Sequence, residues 1–191
     1  MTGRHDLTEL KAAARTAAFA RRKAAHSPET TALVVERLLE VLLPHRGKRI
    51  AGYMPIRTEV DPLPVMAAMA AFGPVCVPVI QGPDQPLKFR QWTPGCKTEP
   101  GAFGAPVPSA GNWIEPEVLI VPLLAFDDNG IRLGYGGGFY DRSLEGLRAL
   151  GEVVTFGCAY AAQRTQALPA EPTDQPLDAI VTEDGVFWRL G

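Results

Sequence analysis

Cysteine is scarce in this chain: 191 residues contain three, Cys76, Cys96 and Cys158, odd in number, far apart and never in a CxxC arrangement. That argues against a disulfide framework or a thiolate zinc site, and a reducing cytoplasm is the simplest expected home. Histidine is equally rare, and His5, His26 and His45 all fall near the start of the chain, so neither a histidine triad nor a histidine metal site is expected. An excess of one charge is missing too. Lys plus Arg number 19 against 21 Asp plus Glu, a net charge of −2, which gives no broad attraction for nucleic acid or an anionic membrane. Long hydrophobic runs are absent: stretches such as Val118 to Phe126 are far too short to span a bilayer, and residues 1–25 are studded with charge instead of carrying a signal-peptide core.

What remains is a chain with 46% hydrophobic and 21% charged residues, ordinary for a globular protein and long enough for a substantial core. One domain over residues 1–191 is expected, with a helical N-terminal segment over 6–44. Asp6 followed by Glu9 resembles a capping box, and the alanine-rich stretch to about Ala25 favours helix. Ser27-Pro28-Glu29 then starts a second helix through about Leu43. Lys48 to Met54 reads as a strand, Asp61-Pro62 caps a helix that ends at Gly73, and Pro74 to Ile80 reads as the next strand, completing a βαβ unit. Leu87 to Trp92 is a short strand, whereas Thr93 to Pro116 is Pro- and Gly-rich and is expected to be a long ordered loop. Val118 to Leu124 suits a buried parallel strand and Asp127-Asp128-Asn129-Gly130 a turn. A helix from Phe139 to Leu150, a strand over Val153 to Cys158 and a final pair around Asp184-Gly185 close the chain. The alternation predicts an α/β fold: three layers, α/β/α, around a largely parallel central sheet, Rossmann-like.

The densest signal is Arg132-Leu133-Gly134-Tyr135-Gly136-Gly137-Gly138-Phe139-Tyr140-Asp141-Arg142. Neither common nucleotide signature fits, because no Lys-Ser or Lys-Thr follows the glycines and the spacing is GxGxG, not GxGxxG. A glycine cluster opening a helix is either a tight turn or a cradle whose N–H groups and dipole suit anionic oxygens. The flanks favour the cradle: Arg132 supplies a cation, Tyr135 and Tyr140 supply aromatic faces with hydroxyl tips, and Asp141 is able to hold a metal beside phosphates.

Other candidates stay open on spacing alone. A helix places Lys11, Arg15 and Arg22 on one face with Ala18 between them, either a phosphate clamp or a solvated surface. Glu59 is either a ligand-binding carboxylate at the sheet's carboxyl edge or a favourable charge at a helix start. Asp174, in a Pro-rich loop, is either a second oxygen ligand for Mg²⁺ beside Asp141 or a solvated carboxylate.

Taken together, these segments resemble the 5-formyltetrahydrofolate cyclo-ligase family, also called methenyltetrahydrofolate synthetase, from about Lys11 to Glu183. The resemblance is carried by Lys11 and Arg15, by Tyr53-Met54-Pro55 through Glu59-Val60, by Val121 through Asp127, and above all by Arg132 through Asp141. It implies closure of 5-formyltetrahydrofolate to 5,10-methenyltetrahydrofolate with ATP as co-substrate and Mg²⁺ as cofactor, through a phosphorylated formyl oxygen. It also implies small-molecule substrates only, with no nucleic-acid or membrane partner, and a monomer is expected.

Carried over by position, Lys11, Arg15, Arg132, Leu133, Gly134, Tyr135, Gly136, Gly137, Gly138, Phe139 and Tyr140 would bind ATP. Met54, Glu59 and Tyr140 would bind the folate, Asp141 and Asp174 the metal, and Arg132 and Tyr140 would take part in catalysis. The chain departs from many relatives at Thr173, where they carry His, and at Ala105-Pro106-Val107-Pro108, where they carry Glu-Pro. Competing readings are a non-catalytic folate- or nucleotide-binding relative and a small-molecule kinase of the same fold.

Overall fold

The computed structural model describes residues 2–189; the side chains of residues 2–6 and 8 lie outside the described ones. Two helices lead, α1 (Thr2–Ala25) and α2 (Pro28–Leu42). The first already begins at Thr2, so Asp6 lies within it and does not start it, and the side chain proposed for the capping box is outside those described. The second starts as its sequence demands: the Ser27 hydroxyl accepts the Thr30 amide at 3.1 Å and Pro28 fills a position that needs no N–H. Val34, Leu38 and Leu42, four residues apart, form its buried stripe.

The remaining elements are β1 (Ile50–Ala51), α3 (Leu63–Met69), β2 (Val75–Val79), β3 (Lys88–Trp92), β4 (Thr98–Pro100), β5 (Pro106–Pro108), β6 (Val118–Pro122), β7 (Ala125–Phe126), β8 (Arg132–Leu133), α4 (Phe139–Leu150), β9 (Val154–Cys158), β10 (Ala179–Thr182) and β11 (Gly185–Trp188). The main sheet has the order β11-β10-β9-β6-β1-β2-β3. Its five inner strands run parallel, and an antiparallel strand borders each edge. Alternation assigns the two faces. Ile50, Val75, Val77, Val118, Ile120 and Val181 pack with α2 and α3, while Ala51, Cys76, Leu119, Val121 and Ile180 pack with Leu144 of α4. The result is the expected three-layer, largely parallel Rossmann-like architecture.

Three local expectations change. The strand read over Lys48 to Met54 keeps only Ile50–Ala51. Gly52 still donates to the Cys76 carbonyl at 2.9 Å, but Tyr53 then turns inward to donate to the Val60 carbonyl at 2.7 Å, and Pro55 has no N–H for a ladder. The loop over Thr93 to Pro116 contains a hairpin, β4 with β5, whose tip is a 3₁₀ turn over Ala102–Gly104. The run Val118 to Leu124 leaves the sheet after Pro122, because the buried Gln163 amide donates to the carbonyls of Leu123 at 2.8 Å and Leu124 at 3.1 Å in place of a neighbouring strand. The chain then folds into the β7–β8 ribbon, on which Ala18 of α1 packs. The turn at its end is held by Asp127, whose Oδ1 accepts the amides of Asn129 and Ile131.

The sheet also needs a small residue where β9 meets β10 and the segments that cover it. At Gly157 on β9, an added Cβ would fall 2.4 Å from Ile180 Cδ1 and 2.9 Å from methyl carbons of Leu123 and Leu177. Gly157→Ala is therefore expected to destabilise the protein by about 1–3 kcal/mol, to be read from the midpoint of urea unfolding; an unchanged midpoint would show that these side chains repack freely.

Candidate active site

A cavity of about 300 Å³ opens at the carboxyl ends of β1, β2 and β6, marked by Met54, Ile80 and Pro122. Strand order reverses here: the chain passes from β1 to β2 on one side and later returns to place β6 on the other. That reversal leaves the crevice in which parallel α/β sheets bind ligands. All the residues expected at the nucleotide, folate and metal sites line it: Lys11, Arg15, Met54, Glu59, Asp174 and the run from Arg132 to Asp141.

The cavity has two chemically distinct halves. One is built by the glycine loop between β8 and α4, facing α1. Gly138 occupies the residue before α4 with φ +63°, and Gly136 has φ +101°, conformations in which a Cβ is strained. At Gly136 a Cβ would also lie 3.2 Å from the Arg15 guanidinium, and Arg15 Nε donates to the Gly134 carbonyl at 3.0 Å. The glycines thus let a cation lie flat against the loop. The amides of Gly136, Gly137 and Gly138 have no acceptor among the described residues, so they remain donors at a helix N-terminus.

Arg132 is held rigidly at the base of this half, its side chain only 5% exposed. Nη1 donates to the Gln175 carbonyl at 2.5 Å and Nη2 to Asp141 Oδ1 at 2.7 Å, and the same oxygen accepts the Gln175 amide at 2.9 Å. Lys11 is clasped by Glu171 at 2.7 Å and Asp174 at 2.9 Å. Burial works against its charge, but the two carboxylates outweigh burial and raise its pKa. Asp174 Oδ2 also accepts the Glu171 amide.

Two of the three expected phosphate cations, Lys11 and Arg132, are therefore paired with the expected metal carboxylates Asp174 and Asp141, and each carboxylate keeps one oxygen without a hydrogen bond among the described residues. No group of three His, Cys, Asp or Glu side chains able to enclose a metal occurs among the described residues. Mg²⁺ commonly takes one or two carboxylates and completes its shell with water and phosphate oxygens, and Asp141 with Asp174 fits that pattern.

The other half is largely apolar, formed by Met54, Ile56, Leu87, Phe103 and Val107. The β4–β5 hairpin tip overhangs it: Phe103 is 71% exposed, has φ +57°, and sets its ring 6.5 Å from that of Phe139. Glu59 is the buried charged group of this half, only 6% exposed, beside the exposed Arg57. Its Oε1 accepts the Tyr135 hydroxyl at 2.7 Å and its Oε2 the Ile56 amide at 2.9 Å. Burial raises its carboxyl pKa despite those bonds and the neighbouring Arg22 and Arg57.

Tyr140 sits at the boundary with a buried hydroxyl that has no partner among the described residues. Burial drives its pKa upward, so it stays a neutral donor. Arg22 does not line the cavity with Lys11 and Arg15, as the expected three-residue clamp required. It lies beneath the cavity at 1% exposure, because the turn of α1 that carries it packs against the loops bearing Thr58 and Tyr135. Sequence reading also missed Glu171, the Phe103 hairpin and Gln163. For Glu171 the one available signal was its place in the same Pro-rich loop as Asp174.

The model of the 5-formyltetrahydrofolate cyclo-ligase family matches residues 4–183. The chain belongs to the 5-formyltetrahydrofolate cyclo-ligase family. Among its family relatives, the 5-formyltetrahydrofolate cyclo-ligase of Haemophilus influenzae is 30% identical over 158 residues, covering 78% of this chain and 82% of that protein. The Escherichia coli K12 cyclo-ligase is 46% identical over 71 residues, a match that spans 37% of this chain and only 38% of that relative. Among solved structures, the Aquifex aeolicus 5,10-methenyltetrahydrofolate synthetase aligns with a TM-score of 0.77 at 31% identity, covering 95% of this chain and 94% of that one. The Mycoplasma pneumoniae synthetase, at 24% identity and a TM-score of 0.71, shares the fold.

Proposed function

We propose that this cyclo-ligase family member closes 5-formyltetrahydrofolate to 5,10-methenyltetrahydrofolate, using ATP and releasing ADP and phosphate. The observation that carries this reading is the single cavity in which a cationic, glycine-lined half meets an apolar half holding one buried carboxylate. The first half suits a nucleoside triphosphate, and the second suits a flat heterocycle with N–H groups for Glu59.

An N-formyl group is amide-like and its oxygen is a poor leaving group. In the proposed reaction the formyl oxygen attacks the γ-phosphorus and the bond to the β-phosphate oxygen breaks, releasing ADP. N10 then adds to the formyl carbon, the C–O bond breaks with departure of phosphate, and N10 gives up its proton. Ring closure is intramolecular, so positioning replaces any protein nucleophile.

Arg132, Arg15 and Lys11 meet the charge on the phosphates, and the amides of Gly136 to Gly138 donate to oxygens as charge spreads during transfer. Tyr140, neutral and without a hydrogen-bond partner among the described residues, donates at the junction of the two ligands. Asp141 and Asp174 are the residues that would hold Mg²⁺, which when bound neutralises phosphate charge.

The test is near-ultraviolet detection of the methenyl product with 5-formyltetrahydrofolate, ATP and Mg²⁺, omitting each in turn and following ADP in parallel. Product and ADP in step, only in the complete mixture, is the expected result. Binding without product would indicate a non-catalytic relative, and ADP without methenyl product a kinase acting on another acceptor.

The pairing of cations with carboxylates has a separate consequence. Asp174→Asn removes one counter-charge from Lys11, so affinity for metal-free ATP is expected to rise severalfold while the gain on adding Mg²⁺ shrinks. Titration calorimetry in EDTA and then in Mg²⁺ measures both; weaker metal-free binding would remove Lys11 from the phosphate site.

A further inference from the structure

We propose that Arg22, a residue outside the cavity, is the positioning residue for Glu59, and that through the Tyr135 hydroxyl it ties the placement of this carboxylate to the glycine loop; this rests on the folate-binding reading of Glu59. Arg22 follows Arg15 by two helical turns, so both project from one side of α1. Arg15 reaches the glycine loop, whereas Arg22 passes beneath it, its guanidinium 5.5 Å from the Phe19 ring centroid and 5.7 Å from that of Tyr135.

Among the described residues, the polar contacts of its guanidinium go to two loops. Nε donates to Thr58 Oγ1 at 3.1 Å and Nη1 to the Tyr135 hydroxyl at 2.9 Å, and Nη1 lies 3.7 Å from Glu59 Oε1. Tyr135 passes the interaction on by donating to that same Oε1. Nη2 is buried with no partner among the described residues. A guanidinium at 1% exposure with one nitrogen unpaired is a poor way to fill a core. An apolar side chain would serve packing better, so what Arg22 adds is charge and direction for Glu59.

The charge matters because Glu59 is buried. The titratable groups around it are Arg22 from α1, Arg57 from its own loop, Tyr135 from the glycine loop, Tyr53 after β1, Tyr140 from α4 and Cys158 from β9. Only the two arginines are cationic. Losing Arg22 therefore raises the pH at which Glu59 takes up a proton, and a protonated Glu59 accepts ligand N–H groups less well.

The experiment is calorimetric titration of full-length protein with 5-formyltetrahydrofolate from pH 5.5 to 8, and separately with ATP, for wild type, Arg22→Met, Arg22→Lys, Tyr135→Phe and Glu59→Gln. Arg22→Met is expected to weaken folate binding about tenfold at pH 7, to shift the acid limb of folate affinity up by about one pH unit, and to change ATP affinity less than threefold. Arg22→Lys should return most of the limb. Equal losses for both ligands with an unmoved limb would overturn the proposal by making Arg22 a plain structural residue.

If Arg22→Met does not fold, Tyr135→Phe decides. Deleting that hydroxyl should move the limb in the same direction, and an unmoved limb overturns the proposal. Glu59→Gln separates the two readings. Unchanged folate affinity in Glu59→Gln would fail the folate role itself, whereas loss in Glu59→Gln with none in Arg22→Met would fail only the positioning role.

Discussion

Arg132→Ala is expected to lower kcat/KM for ATP by about three orders of magnitude. The side chain is almost fully buried and fixed by the Gln175 carbonyl and Asp141, so its charge stands ready before the phosphoryl group moves. Water entering the space left by Ala would have to reorganise during transfer and would supply no charge. Arg132→Lys restores a charge but not the fork that spans Gln175 and Asp141, so it should recover only about tenfold. Steady-state kinetics with ATP varied at saturating folate measures both variants. A loss below about tenfold in the alanine variant would take Arg132 out of phosphoryl transfer. Because Arg132 also pairs with Asp141, thermal unfolding must accompany the kinetics to confirm that each variant is folded.

Glu59→Ala should act on two quantities at once. Folate KM is expected to rise about a hundredfold, the scale of losing hydrogen bonds to a charged acceptor, with ATP KM changed far less. Stability should fall by about 3 kcal/mol, because Arg22 is left as a buried charge whose remaining acceptors are hydroxyls. These effects separate in a double-mutant cycle. Adding Arg22→Met to Glu59→Ala removes the stranded charge and should recover most of the stability measured by urea unfolding, while folate affinity stays lost. A double variant no more stable than Glu59→Ala would show that Arg22 and Glu59 are not coupled.

Local signals made most of the architecture legible. Ser27-Pro28 starts α2 and Gly151 ends α4 because capping is decided within a few residues. The apolar run from Val118 marks a parallel strand covered on both faces. The boundaries that misled were those set by distant partners. Strand β1 ends at Ala51 because Tyr53 finds the Val60 carbonyl, and β6 ends at Pro122 because Gln163 arrives from some 40 residues downstream. The β4–β5 hairpin was hidden by its prolines: Thr98–Pro100 and Pro106–Pro108 form a short ribbon in which alternation has no room to register.

The candidate site divides along the same line. Its cradle was legible because the requirement is local: Gly136 and Gly138 adopt positive φ, which glycine does without the Cβ penalty. The sequence by itself determined that loop, the helix it opens, the amphipathic stripes and the presence of the parallel strands, though not their ends, because each depends on residues within a turn or two. Only the tertiary structure decided that Arg22 serves Glu59 and not phosphate, that Tyr135 joins the two halves of the cavity, and that Lys11 and Arg132 are held by Asp174 and Asp141. Those pairings cross intervals of 9 to 163 residues, and a charge has no preference for one distant partner over another until packing brings them together and excludes water.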